Sequence, residues 1–487
     1  MLFNSLEFAV FLPVVFLLYW FVVNKNLKHQ NILLVAASYV FYGWWDWRFL
    51  SLIIISSTID FIIGLYLKKQ QNEAKRKLLL LCSILLNLGF LGFFKYYNFF
   101  VDSLVSSFTL LGKPLNISTL RIILPVGISF YTFQTLSYSI DAYRRKLEPT
   151  TDIFAFFAFV SFFPQLVAGP IERATNLLPQ FNSKRTFDYN KAVDGMRQII
   201  WGLFKKIVIA DNCATYVNEA FNNYTDYTGF TLLIGAVFFA FQIYCDFSGY
   251  SDIAIGTSRL FGFNLMRNFA FPYFSRDMAE FWRRWHISLS TWFRDYVYIP
   301  LGGSQGSKGN QIRNIFVIFI VSGLWHGANW TFVIWGALNA IYFLPLMLLK
   351  QNRRNLDIVA QGRLLPTLRE TWQMGTTFLL TVLAWVFFRA NTVNDAFDII
   401  KQIFISFYKI DILELRSLAN SLWVTTSHIL LVILLVVVEW LQRDKLHALE
   451  IDQIKMPGAL RWASYYFIIF LIFYFSGSQQ DFIYFQF

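Results

Sequence analysis

The stretch that most constrains this chain is Ile315–Leu349, 35 residues in which His326 is the only side chain that titrates near neutral pH. As a single helix it would measure about 52 Å, against about 30 Å for the hydrocarbon core of a bilayer. The run is therefore expected to bend or break, and Gly323 and Gly327 are the natural places. A helix entering at Ile315 would carry His326 roughly 16 Å in, near the midplane. On such a helix Ser322, His326, Asn329 and Trp330 are spaced i, i+4, i+7, i+8 and share one face. An imidazole at that depth, among hydrogen-bonding neighbours, is read first as a functional group. The competing reading is a packing histidine that donates to a carbonyl of a neighbouring helix. The cost of burying an imidazole where an apolar side chain would serve favours the functional reading.

Hydrophobic residues make up 56% of the 487-residue chain and charged residues 15%, with a mean hydropathy of +0.47. Only a polytopic helical membrane protein fits, because spanning segments must satisfy their backbone groups internally. The fold class expected is all-α, with about 11–13 membrane helices and re-entrant segments around a central chamber, in a single domain over 1–487. Apolar runs near 7–23, 32–47, 49–67 and 78–94 read as clean spans. Later candidates lie near 120–139, 153–169, 193–210, 229–245, 312–349, 373–389, 423–440 and 459–476. Pro125-Val126-Gly127 and Phe163-Pro164-Gln165 fall inside such runs and predict irregular backbone there. Residues 350–372 read as a solvated loop.

Leu2 to Val23 has no basic n-region and no small-residue cleavage site, so it is read as a span and not as a cleaved signal. The net charge of +12 comes largely from short basic loops, which argues for the positive-inside rule and against nucleic acid. Lys25 and Lys28 in one loop, and Lys68 to Lys77 in another, put both on the cytoplasmic side and the N-terminus outside. Trp44, Trp45 and Trp47 mark the opposite interface. The widely separated Cys82, Cys213 and Cys245 give no disulfide framework, and no metal-ligand spacing occurs.

Residues 241–310 depart from clean spans. Asp246 and Asp252, with Tyr244, Ser248, Tyr250 and Ser251, form either a polar substrate lining or a structural network with a basic partner. In 280–296, Trp282, Trp285, Leu289, Trp292, Phe293 and Tyr296 follow helical spacing and form one aromatic face. That pattern predicts a helix lying at the interface, ended by Pro300-Leu301-Gly302-Gly303. His286 borders this face, either paired with His326 across a chamber or as an interfacial anchor. Arg283 and Arg284 suit phosphate and anionic lipid equally. His29, His428 and His447 read as structural or solvated.

With these residues in view, the chain resembles the membrane-bound O-acyltransferase (MBOAT) family, in its bacterial branch that includes the alginate O-acetylation membrane protein. The resemblance rests on Leu124-Pro125-Val126-Gly127-Ile128-Ser129-Phe130-Tyr131, on Phe163-Pro164-Gln165-Leu166-Val167-Ala168-Gly169-Pro170, and on Asp246-Phe247-Ser248-Gly249-Tyr250-Ser251-Asp252. Phe281-Trp282-Arg283-Arg284-Trp285-His286 and Leu324-Trp325-His326-Gly327-Ala328 carry it furthest. It covers nearly the whole chain and is least distinct after about residue 390. It implies that His326 is catalytic and that His286 lines the chamber. His286 is taken as a second catalytic residue, and Trp325, Ser322, Asn329, Arg283, Arg284, Asp246 and Asp252 are the candidate substrate contacts that the residues themselves suggest.

The resemblance further implies transfer of an acyl group, acetyl foremost, from a cytoplasmic thioester donor to an extracytoplasmic polysaccharide. The donor would be acetyl-CoA or an acyl carrier, used as co-substrate with no permanently bound cofactor and no metal. An extracytoplasmic SGNH-type transferase is the implied partner, and the bacterial cytoplasmic membrane the implied location. Transfer of D-alanine to a cell-wall polymer is the alternative within the family. A transporter or channel using His326 as a proton relay is the alternative outside it.

Overall fold

The computed structural model describes all residues except 114, 116, 168, 414–424, 452–456, 478–479, 481 and 484–487. Ala168 of the expected motif and the start of the expected 423–440 span thus lie outside the described residues. All regular structure among the described residues is helical. Leu27–Lys69, Glu73–Leu110, Gly229–Leu260, Trp330–Leu348 and Leu368–Arg389 are long and apolar enough to cross a membrane. Shorter apolar helices cover Leu6–Val22, Ile153–Leu166, Ser427–Leu441 and Gly458–Tyr474. The chain is a polytopic membrane protein, and it divides into two compact units.

The first unit comprises Met1–Gly195 and Thr257–Met266. Asparagine side chains start its helices at the basic loops: Asn26 Oδ1 accepts from the Lys28 N–H at 2.9 Å, and Asn72 Oδ1 from the Ala74 N–H at 2.9 Å. Polar groups hold the helices together where lipid gives no hydrophobic drive. The fully buried Asp60 accepts from Ser83 Oγ (2.5 Å), Asn87 Nδ2 (2.8 Å) and Ser139 Oγ (2.9 Å), which ties Leu50–Lys69 to Glu73–Leu91 and Ile128–Tyr143. Arg76, also buried, donates to the carbonyls of Leu67, Ala142 and Tyr143 and so closes the ends of two helices. The irregular backbone expected at the prolines is present. Gly127 has φ 72° ahead of the Ile128–Tyr143 helix, and Phe162 interrupts Ile153–Ser161 before Phe163–Leu166.

The second unit comprises Met196–Gly256 and Arg267–Phe487. Its centre is a hairpin of Lys308–His326 and Trp330–Leu348, followed by Leu368–Arg389. The break expected in the 315–349 run falls at Gly327, whose backbone is extended, while Gly323 stays helical. A Cβ on Gly327 would lie 2.1 Å from the Phe332 ring, and one on Gly323 would lie 2.2 Å from the Phe332 carbonyl oxygen. These glycines let the two helices approach closely enough to turn back at once.

Two expectations fail here. Residues 280–296 do not form one interfacial helix: Met278–Arg284 and Ile287–Phe293 are separated at Trp285 and His286, and a widened turn follows over Arg294–Tyr298. Residues 350–367 do not form a free loop. Val359 and Ala360 are buried, and arginines bind the loop's carbonyls: Arg283 at Asn352 (2.8 Å) and Asn355 (2.7 Å), Arg443 at Val359 (3.0 Å) and Ala360 (2.9 Å).

Candidate active site

Within the second unit, the ends of separate elements bring His326 and His286 together. His326 is the last residue of Lys308–His326, 3% exposed, and its ring stands nearly perpendicular to those of Trp325 (5.0 Å), Trp335 (5.2 Å) and Phe388 (5.3 Å). His286 is 1% exposed and lies in the break between two short helices, with φ 43° and ψ 54°. Its ring centroid is 6.3 Å from that of His326 and 5.8 Å from Trp325, so Trp325 faces both imidazoles. Phe247 packs edge-on against His286 at 4.5 Å. The structure thus brings His286 and His326 side by side and buries both. Aromatic walls exclude water from the pair, which is what an activated acyl group needs to escape hydrolysis.

A left-handed backbone at a non-glycine residue is costly, about 1–3 kcal/mol, and persists only where its surroundings enforce it. Here the enforcing contacts come from Asn268, a buried residue that the spacing of apolar and charged side chains does not single out. The Asn268 carbonyl accepts from the Ile287 N–H at 2.9 Å, and Asn268 Oδ1 lies 3.1 Å from His286 Nδ1. A second pairing, Ala270 N–H to Arg284 C=O at 2.9 Å, holds the same two segments side by side.

The remaining expected site residues scatter. Ser322 lies one turn before His326 and lines a cavity of about 430 Å³. Arg294, Gln311, Lys350 and Arg353 line the same cavity nearer the start of the Lys308–His326 helix. Asn329 does not share a face with His326, because the helix ends between them. Its side chain caps Trp330–Leu348 through the Thr331 N–H (3.1 Å) and donates to the Asn391 carbonyl (3.0 Å), and Trp330 is exposed. His326 also stands at the tip of the hairpin, at the end remote from Lys308 and Leu348, and not midway along a helix.

Arg283 donates to carbonyls of the 350–367 loop, and Arg284 pairs with the buried Glu280 at 2.8 Å. Asp246 and Asp252 follow the network reading. Lys206 bridges Asp211 (2.7 Å) and Asp246 (2.8 Å), Lys205 pairs with Asp252 (2.5 Å), and Asp246 also accepts from the Ile483 N–H (2.7 Å). Nearby, Tyr244 binds both oxygens of the buried Glu439 at 2.9 Å. Breaking such a buried pair is costly, whereas the intact network is nearly neutral to stability, so its value here is to fix the helices in one arrangement. His447 and His428 are both buried, which favours their structural reading.

The architecture is that of a polytopic membrane protein with two imidazoles buried side by side. Residues 77–368 match the model of the membrane-bound O-acyltransferase family, MBOAT. The chain is 42% identical to the probable alginate O-acetylase AlgI of Pseudomonas aeruginosa over 408 residues, 83% of this chain and 75% of that one. It is 32% identical to the peptidoglycan O-acetyltransferase of Helicobacter pylori, covering 100% of this chain and 98% of that protein. It is 30% identical to the teichoic acid D-alanyltransferase of Streptococcus thermophilus, over 55% of this chain and 69% of that one. The chain belongs to the membrane-bound O-acyltransferase family, and it is an acyltransferase that uses an acyl donor as co-substrate.

Proposed function

We propose that this enzyme moves an acetyl group from a cytoplasmic thioester, acetyl-CoA or an acyl carrier, to hydroxyls of an extracytoplasmic polysaccharide. It works in the bacterial cytoplasmic membrane, with an SGNH-type transferase as partner on the outer side. The observation that carries this reading is the cavity of about 430 Å³ that has Arg294, Lys350 and Arg353 at one end and Ser322, a turn from His326, at the other. Cationic side chains suit the phosphates of a CoA or phosphopantetheine donor, and the apolar inner wall suits its acyl end. The acetyl-transferring relatives support acetyl as the group.

In this reading His326 is the catalytic base and His286 assists it. The attacking hydroxyl oxygen bonds to the acyl carbon as an imidazole takes its proton. The carbon–sulfur bond breaks, and the proton passes on to the departing sulfur. Asp246 and Asp252 hold the helices that shape the site. The D-alanyl reading keeps support from the teichoic acid relative and differs in the group carried, its carrier and the acceptor polymer.

The test uses inside-out membrane vesicles supplied with radiolabelled acetyl-CoA outside and the acceptor inside. Label is expected in the luminal polymer with the wild type and not with His326→Ala at equal abundance. Labelling by His326→Ala at the wild-type rate refutes the catalytic assignment. Labelling only from a D-alanyl carrier refutes acetyl.

A further inference from the structure

Asn268 is the hub of the turn that carries His286. It is wholly buried, and its side-chain oxygen faces Ser288 Oγ (2.9 Å) and the Ser288 backbone N–H (3.4 Å) as well as His286 Nδ1 (3.1 Å). Its amide nitrogen donates to Ser251 Oγ at 3.1 Å, on the Gly229–Leu260 helix. The Ser288 contact fixes which way the amide lies: a backbone N–H can only donate, so the atom facing it is oxygen. An oxygen facing Nδ1 requires that Nδ1 carry hydrogen. In a neutral imidazole the lone pair is then on Nε2.

We propose that Asn268 is a positioning residue for acyl transfer, holding His286 as the Nδ1–H tautomer so that Nε2 is the nitrogen able to accept a proton in the two-histidine site. During transfer His326 takes the proton of the attacking hydroxyl as that oxygen bonds to the acyl carbon, and His286 Nε2 accepts the hydrogen bond that orients the reacting group. The electron pair of the broken bond stays with the donor's leaving atom, which then takes that proton. The kinetic consequence rests on the function proposed above. The tautomer belongs to the folded protein alone, whatever group is transferred.

The same contacts would arise in a purely structural clasp, so the test needs a readout that a clasp does not move. Full-length protein is placed in lipid nanodiscs with ¹⁵N-labelled histidine, and the His286→Gln spectrum is subtracted to isolate His286. The wild type is expected to show protonated Nδ1 and bare Nε2, and Asn268→Leu a large shift of population to the other tautomer. In acyl transfer Asn268→Leu is expected to lose about 10- to 100-fold in kcat with KM changed less than about threefold. Asn268→Asp keeps an acceptor in the same place and is expected to recover about tenfold of that loss.

A wild-type tautomer in Asn268→Leu overturns the proposal. So does an Asn268→Asp no more active than Asn268→Leu when both match the wild type in abundance and melting temperature. If Asn268→Leu does not accumulate, Asn268→Asp decides alone: Nδ1–H with activity supports the assignment, and loss of either refutes it. A wild type that transfers no acyl group at all refutes the proposed function instead, and the tautomer comparison still judges Asn268.

Discussion

At the scale of single residues the two histidines are held differently. His326 is gripped by aromatic rings at the end of a long helix, and His286 sits in a strained turn clasped by Asn268. His286→Gln keeps hydrogen-bonding capacity but takes up no proton near neutrality. If His286 only orients, the glutamine variant should stay near wild-type activity while His286→Ala falls by about ten- to a thousand-fold. If both fall as far as His326→Ala in a steady-state assay, the histidines act as one unit.

A different residue gives a pH dependence. Arg276 beside Asp357 holds that carboxyl below its ordinary value, chiefly through their hydrogen bond. A carboxylate with a depressed folded pKa contributes stability that is present above its unfolded pKa and lost as pH falls through the folded one. The melting temperature in detergent should therefore drop as pH falls below the ordinary aspartate range, about pH 4, and drop less in Asp357→Asn. Equal drops would mean that this pair does not anchor the loop.

Among elements, the Lys308–Leu348 hairpin decides the site. Gly323 and Gly336 sit where a Cβ would lie 2.2 Å from the Phe332 oxygen and 2.4 Å from the Phe319 oxygen. Both obstacles are backbone, so the helices must move apart to admit a methyl. Gly323→Ala should cost about 1–3 kcal/mol and lower the melting temperature. Because it lies one turn from His326, it should also reduce activity more than an alanine at the exposed Gly375, a glycine with open space around it. An unchanged melting temperature and rate in Gly323→Ala would show that the contact yields without cost.

For the whole molecule, orientation follows from where lysine and arginine gather. Lys68, Lys69, Lys75, Arg76 and Lys77 flank one loop, while Trp44, Trp45 and Trp47 mark the opposite end of the preceding helices. The loop should be cytoplasmic and the N-terminus outside. Gln71→Cys, exposed between two helices, tests this. A membrane-impermeant maleimide should label it only after the cells are opened, and labelling of intact cells would invert the topology.

Composition and spacing alone determined that the chain spans a membrane many times, that its backbone breaks at Pro125–Gly127 and Pro164, and that the 315–349 run divides. These are local consequences of hydropathy, of proline and of glycine, and they need no partner. His326 was legible as an isolated imidazole in an apolar run, whereas His286, beside Arg283 and Arg284, was legible only as the border of an aromatic face. What only the tertiary structure decided was which polar groups meet. Helical spacing put Asn329 beside His326, but the chain turned at Gly327, since Phe332 fills the space a side chain there would need. The same spacing read 280–296 as one helix, but pairing with residues 268–270 broke it at His286. Arg283 and Arg284 looked free for an anion because the carbonyls and the carboxylate that claim them come from distant or buried segments. Asn268 gave no signal at all, because its importance lies in contacts with Ser251, His286 and Ser288 that no period along the chain encodes.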